Sequence, residues 1–166
     1  SGMNLPAESY HLTCHLRNGK MNHAPEGVFS LIQSNEVNMS LELEWLVKAT
    51  ENLTAAELCL QHSLRNASVN RAYYAMFHAA IAALIHHGIS KSGEMWKHDF
   101  VQAEFTRALI QRRKVFPGSL KDALLKAMEQ RQLADYDPES VSERVARQML
   151  QLAQRLIRQV KEVIEK

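Results

Sequence analysis

Long uninterrupted apolar runs are missing from this chain of 166 residues. None reaches the roughly 18 residues that a membrane-spanning helix needs, and the N-terminus lacks a basic segment leading into a continuous apolar core. Cysteine is scarce too. Cys14 and Cys59 stand in dissimilar contexts with no Cys-x-x-Cys pair, which argues against a disulfide framework. With 20 basic and 18 acidic residues the formal charge is only +2, so no global field draws the chain toward nucleic acid or membrane. Glycine-rich phosphate loops, serine nucleophile elbows and paired catalytic carboxylates are all lacking, and no stretch alternates with the period of a strand. The expectation is a soluble, cytoplasmic protein with no membrane contact and no resident metal or cofactor.

What remains is a helical pattern. At 46% hydrophobic content the chain suits one domain with a self-sufficient core. Residues 1–38 hold prolines, glycines, asparagines and histidines without a sustained period, and read as an N-terminal extension. Ser1-Gly2 ahead of Met3 resembles a cloning remnant, and Met39 is an alternative start. Val28-Phe29 and Leu31-Ile32 within the extension are apolar enough to pack against the body or a neighbouring chain.

From Ser40 onward, Leu43, Leu46, Val47, Leu53 and Leu58 predict a first helix over 41–63 with an apolar stripe. A second runs from about Ala67 to His87 and closes at Gly88, pairing with the first as an antiparallel hairpin. A third covers Trp96 to Arg112 with Val101, Phe105, Ala108 and Leu109 inward, before Pro117-Gly118. Ser119 and Asp122 have the spacing of a capping box for a fourth helix ending near Leu133. Asp137-Pro138 would open a fifth, whose face carries Val141, Val145, Met149, Leu152, Leu156, Val160 and Val163. The predicted fold is all-α: an up-and-down antiparallel bundle of four to five helices over 39–166, with an irregular N-terminal extension.

Polar residues interrupt two inward faces. In the segment from Asn70 to Ala80, Arg71, Tyr74 and His78 share one face with Ile81 and Ile85, while the rest of the circumference is apolar or aromatic. A helix apolar all round sits centrally, so Arg71 is expected to be partly buried and to need an anionic partner. On the fourth helix Arg131 follows Leu120, Leu124 and Ala127 on the inward stripe, and Asp135 lies one turn further on. A shared network is expected, with Asp135 bridging one or both arginines and Tyr74, Tyr136 and His78 completing the hydrogen bonds. Such a cluster either fixes helix register or binds a ligand. Two guanidinium groups against one carboxylate leave positive charge that a phosphate or RNA backbone would neutralise.

With these residues in view, the chain resembles the HEPN superfamily of helical domains. The resemblance rests on Asn70-Arg71-Ala-Tyr73-Tyr74-Ala-Met-Phe77-His78, on His98 opening the next helix and on Arg131-x-x-Ala-Asp135-Tyr136, and covers about residues 40–165. It implies a homodimer that binds a nucleotide, RNA or a nucleotidyltransferase partner in a toxin–antitoxin or stress-response setting, with Arg71, Tyr74, Arg131, Asp135 and Tyr136 as ligand-binding candidates. Many members are metal-independent ribonucleases whose signature places a histidine four to six residues after an arginine. Here Tyr136 stands where that histidine would be, so the catalytic candidates are Arg131, Tyr136, and His78 or His98 approaching from another helix. Tyr136 is also a candidate acceptor for nucleotidylation by such a partner. A non-catalytic interaction protein with a structural polar core is the third alternative.

Weaker signals surround this site. His11, Cys14 and His15, with His23, have spacing that a metal could use, but adventitious clustering is the simpler reading and no metal is expected. His86-His87 suits the negative end of a helix dipole. Arg107, Arg112, Arg113 and Lys114 form a basic patch near the end of the third helix, open to RNA or to helix carbonyls. The charges of the fifth helix read as a solvated face.

Overall fold

The computed structural model describes residues 26–89 and 95–166, with the backbone alone over 26–36 and at 38. Five α-helices follow one another: α1 (Glu26–Gln61), α2 (Arg65–His86), α3 (His98–Glu104), α4 (Ala123–Tyr136) and α5 (Glu143–Ile164). α3 continues without a break into a π-helical stretch, Phe105–Arg112, and a single 3-10 turn, Gly118–Leu120, precedes α4. No strand occurs among the described residues, as the sequence predicts.

α2 is the axis of the bundle, packed against α1, α3, α4 and α5. Alanines make this possible: Ala72, Ala75, Ala79, Ala80, Ala82 and Ala83 are fully buried, and their small side chains let neighbouring backbones approach from several sides. Met76, Ile81 and Leu84 fill the spaces between them. Polar contacts add to this packing. Ser68 donates to the carbonyl of Ala56 at 2.8 Å in the buried α1–α2 seam, and the Asn66 amide oxygen accepts from the backbone N–H of Val141 at 2.9 Å. Gln154 of α5 donates to Glu57 of α1.

Both ends of the α1–α2 hairpin close by the same device. At the end of α2 the N–H of Ile89 donates to the carbonyl of Leu84 and that of Gly88 to Ile85, with Gly88 at φ +71°. This is the paired-bond C-terminal motif that a left-handed residue permits. At the end of α1, Leu64 donates to Cys59 and Ser63 to Leu60, and here the left-handed residue is Ser63, at φ 61°.

Several predicted boundaries move. α1 starts at Glu26, so residues 26–38, read as irregular, continue the helix. The side chains of Val28 to Ile32 lie outside the described residues, as do His11, Cys14, His15 and His23. Of the predicted stripe, Leu43, Val47 and Leu58 face solvent at 49%, 57% and 52% exposure, whereas Leu46 is buried and Leu53 packs half-buried against the core. Ala49 and Ala56 are buried beside Leu46, because α1 packs closely on an alanine-lined α2, where small residues fit. Ser119 falls in the 3-10 turn, and α4 begins four residues later at Ala123 with no side-chain cap. Asp137 ends α4 rather than opening α5. Its carboxylate accepts from the N–H of Glu139, a local turn that uses Pro138 before the real cap, Ser142, accepts from Val145. α5 does bury Met149, Leu156 and Val160, joined by Ala146, Ala153 and Ile157, while Val141, Val145, Leu152 and Val163 are half-buried.

The two left-handed caps make opposite predictions. A Cβ at Gly88 meets nothing within 4 Å, so Gly88→Ala is expected to cost only the backbone strain of that conformation, about 1 kcal/mol, whereas Ser63→Gly relieves strain and raises stability by up to about 1 kcal/mol. Urea unfolding of the two variants checks both signs.

Candidate functional site

Four helices bring polar side chains to one face, around the N-terminal half of α2. Asn70, Arg71, Tyr74 and His78 lie along α2, Trp45, Lys48 and Asn52 come from α1, His98 is the first residue of α3, and Arg131 and Asp135 are one turn apart on α4. A continuous chain of contacts joins them. Arg131 Nε lies 2.8 Å from Asp135 Oδ2, a contact between charges in which the N–H is not aligned on that oxygen. The Asn70 amide donates to both oxygens of Asp135, at 2.9 and 3.0 Å. Its own oxygen accepts from Arg71 at 2.7 Å. Arg71 also donates to the Asn52 oxygen at 3.3 Å, and the Asn52 amide reaches Nδ1 of His78 at 3.5 Å.

Tyr74 binds the two cations together. The guanidinium carbons of Arg71 and Arg131 lie 5.4 and 5.7 Å from its ring centre, within cation–π range, and Arg131 also donates to its hydroxyl at 3.5 Å. Behind it the aromatic packing continues: His78 lies 5.3 Å from Trp45, and His98 lies 4.5 Å from Phe77. Lys48 adds a further cation over Trp45 at 4.5 Å. Nδ1 of His98 is hydrogen-bonded to the hydroxyl of the buried Tyr73 at 2.5 Å.

The electrostatics follow from burial. His78 is held below the ordinary imidazole pKa by desolvation first; the Lys48 carbonyl opposes this, and the charges of Lys48 and Arg71 reinforce it. His98 is lowered by burial and then by Arg131, against the opposing pull of Asp99. The Tyr73 hydroxyl is pushed well above its ordinary value by burial and by Tyr74. At neutral pH both imidazoles are therefore uncharged and Tyr73 keeps its proton.

The sequence-predicted residues separate into two groups. Arg71, Tyr74, Arg131, Asp135, His78 and His98 share this face. Tyr136 does not: at 78% exposure it has turned away at the last residue of α4. Arg71 is exposed rather than partly buried: it lies between buried Val69 and Ala72 but on the side of α2 that the bundle leaves open, and its long stem carries the charge to solvent. Of the two arginines, Asp135 touches only Arg131, and it reaches Arg71 through Asn70. The bridging amides Asn52 and Asn70 were not among the predicted site residues. Asn70 stood in the motif without a role, and nothing in the sequence around Asn52 distinguishes it from a solvated helix position.

Elsewhere, a groove of about 690 Å³ runs between Glu57, Arg65, Glu143 and Arg147, but its charges are largely satisfied among themselves by the Arg147–Glu143 and Gln154–Glu57 contacts. No group of three or more His, Cys, Asp or Glu side chains among the described residues is arranged to hold a metal ion. No described helix is long and apolar enough to cross a membrane.

A family model described as the HEPN domain matches residues 43–163, which takes in every residue named at this face. The chain belongs to the HEPN domain family. Among curated relatives, this HEPN chain is 38% identical over 71 residues to a UPF0332 protein of Thermotoga maritima, covering 43% of this chain and 51% of that one. The chain thus spans about half the length of the relative it matches.

Two predictions follow from the geometry. A double-mutant cycle between Asn70→Ala and Asp135→Ala, read by denaturant unfolding, is expected to give a coupling of about 1 kcal/mol, because the amide–carboxylate bonds are charge-assisted but not fully buried. His78, His87 and His98 all have imidazole pKa values lowered chiefly by burial. Their contribution to stability is full above the unfolded value of about 6.5 and is lost as pH falls through the lower folded values. Tm should therefore drop on acidification from pH 7 to pH 5, and less steeply in His98→Gln.

Proposed function

We propose that this HEPN domain binds the phosphate of a nucleotide or of RNA on the face formed by α1, α2 and α4. One observation carries this reading: Arg71 has no carboxylate within ion-pair reach among the described residues, and is held instead by two neutral amide oxygens above the Tyr74 ring. The only carboxylate in the chain of contacts, Asp135, already serves Arg131 and Asn70. An exposed, oriented guanidinium with uncompensated charge beside a second guanidinium is a donor set suited to phosphate oxygens. Trp45 and Tyr74, both half-buried, offer aromatic surface beside these cations, the pairing by which single-stranded nucleic acids are held.

The same reading includes a cytoplasmic homodimer and an accompanying nucleotidyltransferase, in a toxin–antitoxin or stress-response pair. The exposed apolar residues Met39, Leu43 and Val47 on α1 support self-association, since a contiguous apolar stripe is a usual mark of a protein contact. A second reading, metal-independent ribonuclease, is favoured by a separate observation. His98 and Arg131 border the same Tyr74 ring, at 6.3 and 5.7 Å from its centre, and the arginine's charge helps lower the imidazole pKa, so a histidine shares this face with the arginine although none follows it in sequence.

Binding of a 5′-phosphorylated oligoribonucleotide, followed by fluorescence anisotropy against salt, tests the first reading. Arg71→Ala should weaken it about tenfold and lower the salt slope by about one, with Tm unchanged. Equal affinity of the native chain and the variant overturns this assignment. Cleavage of RNA in the presence of EDTA, lost in both Arg131→Ala and His98→Ala variants that still fold, would establish the second.

A further inference from the structure

We propose that Tyr73 is a positioning residue: its buried hydroxyl donates to Nδ1 of His98 and fixes the imidazole as the tautomer that presents Nε2–H at the surface of the site. That an anion receives this N–H rests on the function proposed above; the tautomer does not.

The direction of the hydrogen bond follows from counting donors and acceptors. Tyr73 is 3% exposed, and its hydroxyl has no partner among the described residues other than His98. Were Nδ1 the donor, the phenolic proton would be left buried without an acceptor, at the cost of desolvating a hydroxyl for nothing. With Tyr73 donating, every group is satisfied: the phenol keeps its proton, as burial dictates, and the neutral imidazole accepts at Nδ1. The second ring nitrogen must then carry hydrogen. Nε2 of this half-buried residue has no hydrogen-bond partner among the described residues and is not a buried atom, so its N–H is open to the site.

The ring has little freedom to choose otherwise. Phe77 lies 4.5 Å from it, tilted by 35°, and Tyr74 approaches edge-on at 6.3 Å, while the position of His98 at the start of α3 ties it to the helix backbone. Arg131 is the neighbouring cation and Asp99 the neighbouring carboxylate. A neutral N–H beside a guanidinium extends the row of donors by one without adding charge, and it offers no lone pair with which to abstract a proton. In this tautomer His98 is an anion ligand rather than a general base.

Long-range nitrogen–proton NMR of the whole chain, without any added nucleotide, reads the tautomer directly. The expected result is a protonated Nε2 and an unprotonated Nδ1 for His98 near neutral pH, changing to a mixture of tautomers in Tyr73→Phe, which keeps the ring and its packing. Affinity for a 5′-phosphorylated oligouridylate should fall ~5-fold in Tyr73→Phe. In a His98→Gln background, where an amide donor replaces Nε2–H and there is no tautomer to set, the same Tyr73→Phe change should leave affinity unaltered. A native His98 protonated at Nδ1, or a tautomer indifferent to Tyr73→Phe, overturns the proposal. A native chain with the expected tautomer that fails to bind the oligouridylate overturns the phosphate-binding function instead.

Discussion

Burying one helix on nearly all its sides constrains everything else in this bundle. α2 cannot turn a polar side chain to water over most of its length, so each one it carries must be satisfied by a neighbouring helix or placed where the bundle opens. Ser68 illustrates the first outcome, spent on the Ala56 carbonyl. Arg71 illustrates the second, exposed between buried Val69 and Ala72 on the side where the bundle opens. Tyr73, Tyr74 and His78 lie between these extremes, and their partners come from α3, α4 and α1 respectively. The polar face is thus where three neighbours answer the needs of one central helix.

Neutral amides, rather than carboxylates, make the joints. Had acidic residues stood at positions 52 and 70, each guanidinium would have had its own counter-charge and the face would be electrically closed. Asparagine passes the contact along without cancelling charge: Asn70 donates to Asp135 while accepting from Arg71, and Asn52 accepts from Arg71 while facing His78. A network of this kind orients cations and leaves their field intact. A purely register-fixing cluster has no use for that surplus, since uncompensated charge stabilises nothing within the fold.

The helices and most of the core of α2 were legible because they depend on short-range pattern: alanine and isoleucine spacing, a glycine at the left-handed position 88, the absence of strand periodicity. The misreadings have equally local causes. Ser119-x-x-Asp122 and Asp137-Pro138 carry real capping chemistry, but a 3-10 turn used the first and a loop turn the second, and nothing in either segment distinguishes those outcomes from a helix start. Of the large residues assigned inward, Leu46 is buried but Leu43 and Val47 are not, because α1 meets a surface of alanines and fills much of that seam with its own Ala49 and Ala56. Exposure of large residues on that helix reflects the partner's shape, which one helix's sequence does not encode.

The site shows the same division between order along the chain and order in space. Arg131 and Asp135 could be paired from their spacing, since one helix turn separates them. Asn52 and His98 could not, because their approach depends on how α1 and α3 lie on α2. Tyr136 was the natural candidate by sequence, five places after Arg131, yet the helix rotates it into solvent, while His98, more than thirty residues before Arg131, stands within its electrostatic reach. A motif defined by spacing along one helix assumes that the helix supplies both partners. Here the arginine's imidazole neighbour comes from another helix, and a buried tyrosine holds it.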